Sequence, residues 1–372
     1  MGVEMRPPSR PPSPLLRSKP FLAVLTLLLC FAFFFASPLP SQLDEQRTSL
    51  LNYGNEDQSI VNNPEYADSK YAYATFLTGT TADAKDEDYS HDNYFVATRL
   101  LGYQLLHAPE TRTNRSIPFL VLVTNDVPQK KIDRLSEDGA IVIPVEYIRA
   151  DWVHAMHGHW QDVMTKLRMW ELIQYSRIVF LDVDTILTRP LDDLFDDPAA
   201  SLEPTQTNQG MIALDEAALP QSYVFAGVPE MNHEHGYPPT DEHHDFPNIN
   251  YLNAGFFIFQ PSREIFNYYF SVISIPDRFV PDFPEQNLLN YAHRREGNMP
   301  WKQLAPTWNI HYPSVQDIEG GVASLHDKWW APEHPELEPF FRSLRWRMEG
   351  FYEGVDTARR LDARGSKGIG RS

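Results

Sequence analysis

Apolar positions along the chain fall into three regimes: one unbroken run near the start, a polar stretch, and a long region of alternating short patterns. The run Phe21 to Ala36 has no charge and only Thr26 as a polar side chain. Extended through Leu39 it would make a helix of about 28 Å, which matches the roughly 27 Å hydrocarbon of an early secretory bilayer. Residues 21–39 are therefore expected to be a transmembrane signal anchor. The rival reading is a cleaved signal peptide, whose apolar region is about 7–15 residues and ends at a small-x-small site. Here the exit reads Phe34-Phe35-Ala36-Ser37, with bulky rings where small residues are wanted. Residues 1–20 carry Arg6, Arg10, Arg17 and Lys19 against Glu4, with six prolines. They read as a disordered cytosolic tail, which places the remainder in a lumen by the positive-inside rule. Residues 40–70 are polar and read as a stem.

From Tyr71 the pattern becomes one of strands alternating with helices. Tyr71–Thr78 is an extended aromatic and β-branched run, and Tyr94, Ala97, Leu101 and Leu105 recur at helical spacing. Phe119–Val123 and Ala140–Val145 read as strands. Trp160, Val163, Met164, Leu167 and Trp170 mark an amphipathic helix running directly into a buried strand, Ile178-Val179-Phe180-Leu181. This alternation predicts an α/β domain over 71–350 with a mixed, mainly parallel sheet. The stretch 351–372, basic and Gly-rich from Ala358 onward, reads as a disordered tail.

Composition narrows the function. The 372 residues carry a net charge of −18, and the basic first segment makes the remainder more acidic still. That excludes nucleic-acid binding by bulk charge. The single cysteine, Cys30, excludes an intrachain disulfide and a Cys-based zinc site. Asn114-Arg115-Ser116 is a glycosylation sequon, accessible if the domain is lumenal.

Ligands of open α/β sheets bind beyond the carboxyl ends of the strands. Directly after Leu181 stands Asp182-Val183-Asp184. In an extended segment the two carboxylates point the same way while Val183 faces the core. Paired hard oxygens suit Mg²⁺ or Mn²⁺ and, through the metal, a diphosphate. The competing reading is a solvated acidic turn, which fits Asp192, Asp193, Asp196 and Asp197 downstream.

Several segments in order resemble the core of the glycogenin-like glycosyltransferases of family 8. They are Thr165-Lys166-Leu167, Tyr175-Ser176-Arg177, Val179 to Thr185, Leu191 to Phe195, Leu252 to Ser262 and Pro284 to Asn290. The resemblance spans roughly Tyr71 to Trp330. It implies a GT-A (nucleotide-diphospho-sugar transferase) Rossmann-like fold, a UDP-sugar donor, Mn²⁺ and transfer with retention. Residue by residue, it implies Asp182, Asp184 and His326 as metal ligands. Leu77, Thr78, Lys166, Asn253, Gly255 and Lys328 would contact the donor. Asp282, Glu285 and Gln286 would surround the sugar and the reacting face. Anchored lumenal members, including fungal N-acetylglucosaminyltransferases, act on glycans of proteins or lipids. The expectation is thus a single-pass type II Golgi membrane enzyme, with GlcNAc as first donor and a glycan or glycoconjugate as acceptor. The oligomeric state is not legible.

The chain also departs from the family. Glu285 stands where Asp is usual, one methylene longer. His326-Asp327-Lys328-Trp329-Trp330 lacks the Gly and Pro of the family's His-x-x-Gly-x-x-Lys-Pro-Trp. An insertion over 199–250 carries His233, His235, His243 and His244, which suit a variable acceptor loop better than a metal site. Two other classes stay open: a sugar-nucleotide-binding pseudoenzyme, and a hydrolase that passes the sugar to water. Retention through a covalent intermediate or by front-face attack is equally open.

Overall fold

The computed structural model describes residues 69–79, 89–156, 162–211 and 213–368. The expected tail (1–20), the anchor (21–39) with Cys30, nearly all of the stem (40–70) and Trp160 lie outside them. Among the described residues no helix is long and apolar enough to cross a membrane.

In chain order the strands are β1 (Tyr71–Leu77), β2 (Phe119–Thr124), β3 (Ile141–Val145), β4 (Arg177–Leu181), β5 (Thr185–Leu187), β6 (Glu203–Pro204), β7 (Ser222–Tyr223), β8 (Phe225–Pro229), β9 (Leu252–Phe259), β10 (Lys302–Gln303), β11 (Ile310–His311) and β12 (Ser324–His326). The α-helices are α1 (Asn93–Leu106), α2 (Gln129–Glu137), α3 (Arg263–Ile273), α4 (Pro284–Ala292), α5 (Val315–Gly320) and α6 (Glu338–Gly368). The central sheet has seven strands in the order β10-β8-β9-β4-β1-β2-β3. β3, β2, β1 and β4 run parallel, and β9 lies antiparallel to both β4 and β8. This is the expected α/β GT-A arrangement of a mixed, mainly parallel sheet.

β2 is buried at every position and β9 likewise, as continuous apolar runs require when both faces of a sheet are covered. Trp170 fills the space between one face and α3. Its ring lies 4.1 Å from Phe259 and 5.1 Å from Tyr269, centroid to centroid. A second, three-stranded sheet, β11-β12-β5, stands beyond the carboxyl end of β4.

Three expectations change. The amphipathic helix at 163–170 is a nine-residue 3-10 helix, Val163–Glu171, separated from β4 by a turn. Seven of its residues are buried, Lys166 and Arg168 included, so protein surrounds it and the one-sided stripe that the pattern suggested does not exist. The 199–250 insertion is not only surface loop, because β8 within it is wholly buried as an inner strand of the central sheet.

The third change is at the end of the chain, where composition predicts disorder over 351–372. Instead α6 continues to Gly368. Phe341, Leu344, Met348 and Tyr352 make an apolar stripe at helical spacing, and all four are buried. Beyond it Asp356 pairs with Arg134 at 2.6 Å, and Arg359 donates to the Glu137 carbonyl.

Candidate active site

The chain leaves β4 at Leu181 and turns at once. Asp182, Val183 and Asp184 are not extended, as the alternation argument assumed, but form a turn closed by Thr185 N–H donating to the Asp182 carbonyl at 3.0 Å. Val183 is buried in an apolar cluster, as expected. The turn feeds β5, which runs antiparallel to β12 with Thr185 opposite His326. That pairing delivers the imidazole to the carboxylates.

His326 Nε2 lies 3.3 Å from Asp184 Oδ1 and 3.9 Å from Asp182 Oδ2. One donor atom from each of Asp182, Asp184 and His326 falls within 4.8 Å of the others, and no other such group occurs among the described residues. The insertion histidines therefore form no metal cluster there. The backbone fixes this geometry from two sides: Asp182 N–H donates to the Gly255 carbonyl, and Asp327 N–H to the Asp184 carbonyl.

Gly255 is in β9 directly against this group. A Cβ there would stand 2.1 Å from His326 Cε1 and 2.9 Å from Asp182 Oδ2. The glycine is thus required by the triad itself. Two carboxylates and one imidazole, packed against a backbone with no room for a methyl group, fit a hard to borderline divalent cation such as Mn²⁺. The buried His326 Nδ1 has no hydrogen-bond partner among the described residues. Burial disfavours the charged ring, yet the hydrogen bond and charge of Asp184, with Asp182 behind it, raise its pKa. For Asp184 burial works the opposite way, and His326 and Lys328 outweigh it, holding the carboxyl well below the ordinary carboxylate value.

Lys166 is not a solvated helix lysine. It is buried, with Nζ 2.9 Å from Asp182 Oδ1 and 2.8 Å from Glu285 Oε1. Burial opposes its charge, but the two carboxylates hold its pKa well above the usual lysine value. Glu285, in the first turn of α4, is thereby turned onto Lys166. Lys328 is half-exposed, with Nζ 3.7 Å from Asp184 Oδ2, a distance at which an anionic ligand could share it.

The amides form a second cluster. Asn253 Oδ1 accepts Gly255 N–H and Gln286 Oε1 accepts Ala254 N–H, each at 2.8 Å. Both NH₂ groups then point to Glu230, at 2.9 Å from Asn253 and 3.4 Å from Gln286. Glu230 also accepts from His311 Nδ1 at 2.6 Å, and the His311 and His326 rings stack at 4.7 Å. Burial pushes the Glu230 carboxyl up, but the His311 hydrogen bond and its other partners win and lower it.

Glu230 and His311 escape the sequence reading. Glu230 follows the buried run Phe225–Pro229, so the strand-end rule that selects Asp182 would have selected it too. His311 ends a two-residue strand, too short to show any periodicity.

Leu77 and Thr78 stand at the end of β1, which runs parallel beside β4 with Ala74 opposite Phe180. Leu77 is buried in the main core, and Thr78 at the end of β1 accepts a hydrogen bond from Thr124 at 3.1 Å. Asp282 is exposed before α4. Its carbonyl accepts Met156 N–H, while its carboxylate bonds to none of the clustered side chains.

The fold and the site define a glycosyltransferase of the GT-A type. No protein-family model matches the chain. It is similar to an uncharacterised protein of Schizosaccharomyces pombe, 26% identical over 351 residues that cover 86% of this chain and 90% of the other. It is also similar to galactinol synthase 3 of Arabidopsis thaliana, 23% identical over 258 residues, 67% of each chain. Galactinol synthase 1 of Solanum lycopersicum is 25% identical over 232 residues, 60% of each chain. Among solved structures, the glycosyltransferase GlyE of Streptococcus pneumoniae aligns with a TM-score of 0.46 at 15% identity, covering 77% of this chain and 64% of that one.

Proposed function

We propose that the chain transfers a hexose or N-acetylhexosamine, with retention, from a UDP-sugar to a hydroxyl of a glycan or glycoconjugate. The observation that carries this is the convergence of Asp182, Asp184 and His326 on one point, walled by Gly255 and flanked by two lysines. A bound Mn²⁺ would supply Lewis-acid stabilisation of the departing diphosphate.

The chain's own residues do the rest. Lys328, half-exposed beside Asp184, is free to turn toward an anionic diphosphate and neutralise part of its developing charge. Lys166 holds the Asp182 carboxylate in place at 2.9 Å, so the site is preorganised before any ligand arrives. Asn253, Gln286 and Glu230 present amide and carboxylate groups beside the triad, the groups that read sugar hydroxyls. Since Glu285 is engaged by Lys166, and Glu230 by Asn253, Gln286 and His311, neither is a ready nucleophile, which supports front-face attack over a covalent intermediate.

GlcNAc is the first donor to test, and galactose the second because named relatives are galactinol synthases. The apolar run at 21–39 supports a type II Golgi anchor, and the exposed Asn114 supports a lumenal domain. The test measures UDP release from a panel of UDP-sugars with Mn²⁺, with and without acceptor, beside Asp182→Ala/Asp184→Ala. Metal-dependent release that the variant loses, and that an acceptor accelerates, bears the reading out. Release indifferent to acceptor makes the chain a hydrolase, and binding without release makes it a pseudoenzyme.

A further inference from the structure

β11 and β12 run parallel, with Ile310 opposite Leu325 and His311 opposite His326. Alternation along this short pair sends Ile310 and Leu325 into the core, where both are fully buried, and turns the two imidazoles to the other face. After the strand comes Tyr312, whose backbone is left-handed at φ 58° and whose ring stacks on His311. His311 is thus sandwiched: Tyr312 lies 3.7 Å away at 19°, and His326 lies 4.7 Å away at 24°. Two parallel neighbours fix the plane of the ring. Its one remaining freedom is a half-turn, and the 2.6 Å contact from Nδ1 to Glu230 Oε1 selects the orientation.

Glu230 is the hub of the amide cluster. Backbone N–H groups of β9 fix the carbonyl ends of Asn253 and Gln286, so both NH₂ groups turn to the Glu230 carboxylate, and Asn253 Nδ2 also lies 3.2 Å from His311 Nδ1. A long carboxylate side chain has several rotamers and loses them only if something holds it. The Asn253 and Gln286 amides bond to one oxygen, Oε2, while Oε1 is held by His311 Nδ1 at 2.6 Å and, at a longer 3.3 Å, by the Met231 N–H.

We propose that His311 is a positioning residue for the transfer reaction: by holding Glu230 from the metal side, it orients Glu230, Asn253 and Gln286 to receive the donor's sugar. The inference rests on the glycosyltransferase reading. It implies that His311 affects recognition of the sugar and leaves the diphosphate and metal contacts to other residues.

The experiment compares the full chain in detergent with His311→Phe and His311→Gln. Phenylalanine keeps the stack between Tyr312 and His326 but cannot donate to Glu230. Glutamine restores a donor without the ring. Probes are Mn²⁺, UDP with Mn²⁺, and the UDP-sugar that wild type prefers. His311→Phe should bind Mn²⁺ and UDP within about threefold of wild type, since a surviving stack leaves His326 in place. Its preference for UDP-sugar over UDP, and its kcat, should fall about 10- to 100-fold, the worth of one hydrogen bond to a charged group. His311→Gln should recover part of both. Unchanged sugar preference and kcat in His311→Phe overturn the proposal. So does equal loss of Mn²⁺, UDP and UDP-sugar binding, which would make His311 packing support for His326. If wild type neither binds nor turns over any UDP-sugar, the glycosyltransferase reading falls and takes this one with it. Wild-type turnover with an indifferent His311→Phe overturns this one alone.

Discussion

Gly255→Ala puts the assignment of the triad to a single measurement. In most strands this change is neutral or mildly favourable, because alanine loses less backbone entropy on folding by about 0.4–1 kcal/mol. Gly255 has no left-handed backbone angle to object to a side chain. Space decides the sign instead. The new methyl carbon would stand 2.1 Å from His326 Cε1 and 2.7 Å from Nδ1. Carbon atoms rest at about 3.5–4.0 Å, so ring and strand must part by about 1.5 Å. A metal–ligand distance tolerates only about 0.2 Å, so His326 is lost as a ligand. The expected result is at least a 10- to 100-fold loss of Mn²⁺ affinity, the scale seen when even the support of a ligand is removed. Overpacking adds about 1–3 kcal/mol of destabilisation.

Gly227→Ala is the control, since its methyl would meet Leu252 Cδ1 at 2.4 Å and the Phe256 carbonyl at 3.0 Å, none of them triad atoms. It should lose stability and keep its metal. Mn²⁺ titration followed by electron paramagnetic resonance reads free ion directly, and urea unfolding reads stability. Were Gly255→Ala to bind Mn²⁺ as wild type does, the argument that this glycine exists to admit His326 beside the carboxylates would be refuted.

Lys166→Met leaves the Glu285 carboxylate facing a buried apolar neighbour and should cost about 3–5 kcal/mol in urea unfolding; Lys166→Met/Glu285→Gln should regain most of it, and a stable single variant would show the pair to be idle. His293 is fully buried, with Tyr269 Oη at 2.5 Å on Nε2 and the Met299 carbonyl at 2.7 Å on Nδ1. Burial pushes its pKa down to about 4. A folded value below the unfolded one means this stability is complete above about pH 6.5 and drains as pH falls toward 4, so between pH 7 and 5 wild type should lose about 2 kcal/mol more than His293→Gln. Ending the chain after Gly350 removes the buried Tyr352 ring and the Asp356–Arg134 pair, and should lower the unfolding free energy by about 3 kcal/mol; an unchanged urea midpoint would return 351–368 to the role of a tail.

What the sequence shows of this site depends on how far each residue's partner lies along the chain. Asp182 and Asp184 are legible because a four-residue apolar strand precedes them and strand ends are where such sheets bind ligands. The turn that aims them is not legible, since its direction comes from β5 pairing with a strand far downstream. Lys166 shows the same limit more sharply. The family resemblance reads it as a donor contact, and only the 119-residue separation closed by Glu285 makes it a buried bridge. Composition hides the end of α6, because its glycines and basic side chains look disordered until Arg134, 222 residues earlier, is brought to Asp356.

The amide cluster carries the argument one step further. Asn253 and Gln286 could be picked out singly, but each spends its carbonyl on the β9 backbone and its NH₂ on Glu230. Their usefulness to a substrate is therefore decided by a carboxylate that no motif marked and by the histidine that holds it. The metal triad and this cluster touch through the stacked rings of His311 and His326, and through β9, where Asn253 Oδ1 accepts the Gly255 N–H and the Gly255 carbonyl accepts the Asp182 N–H. A change that moves the His326 ring is then felt at His311, so variants of the two should be non-additive when sugar preference is measured.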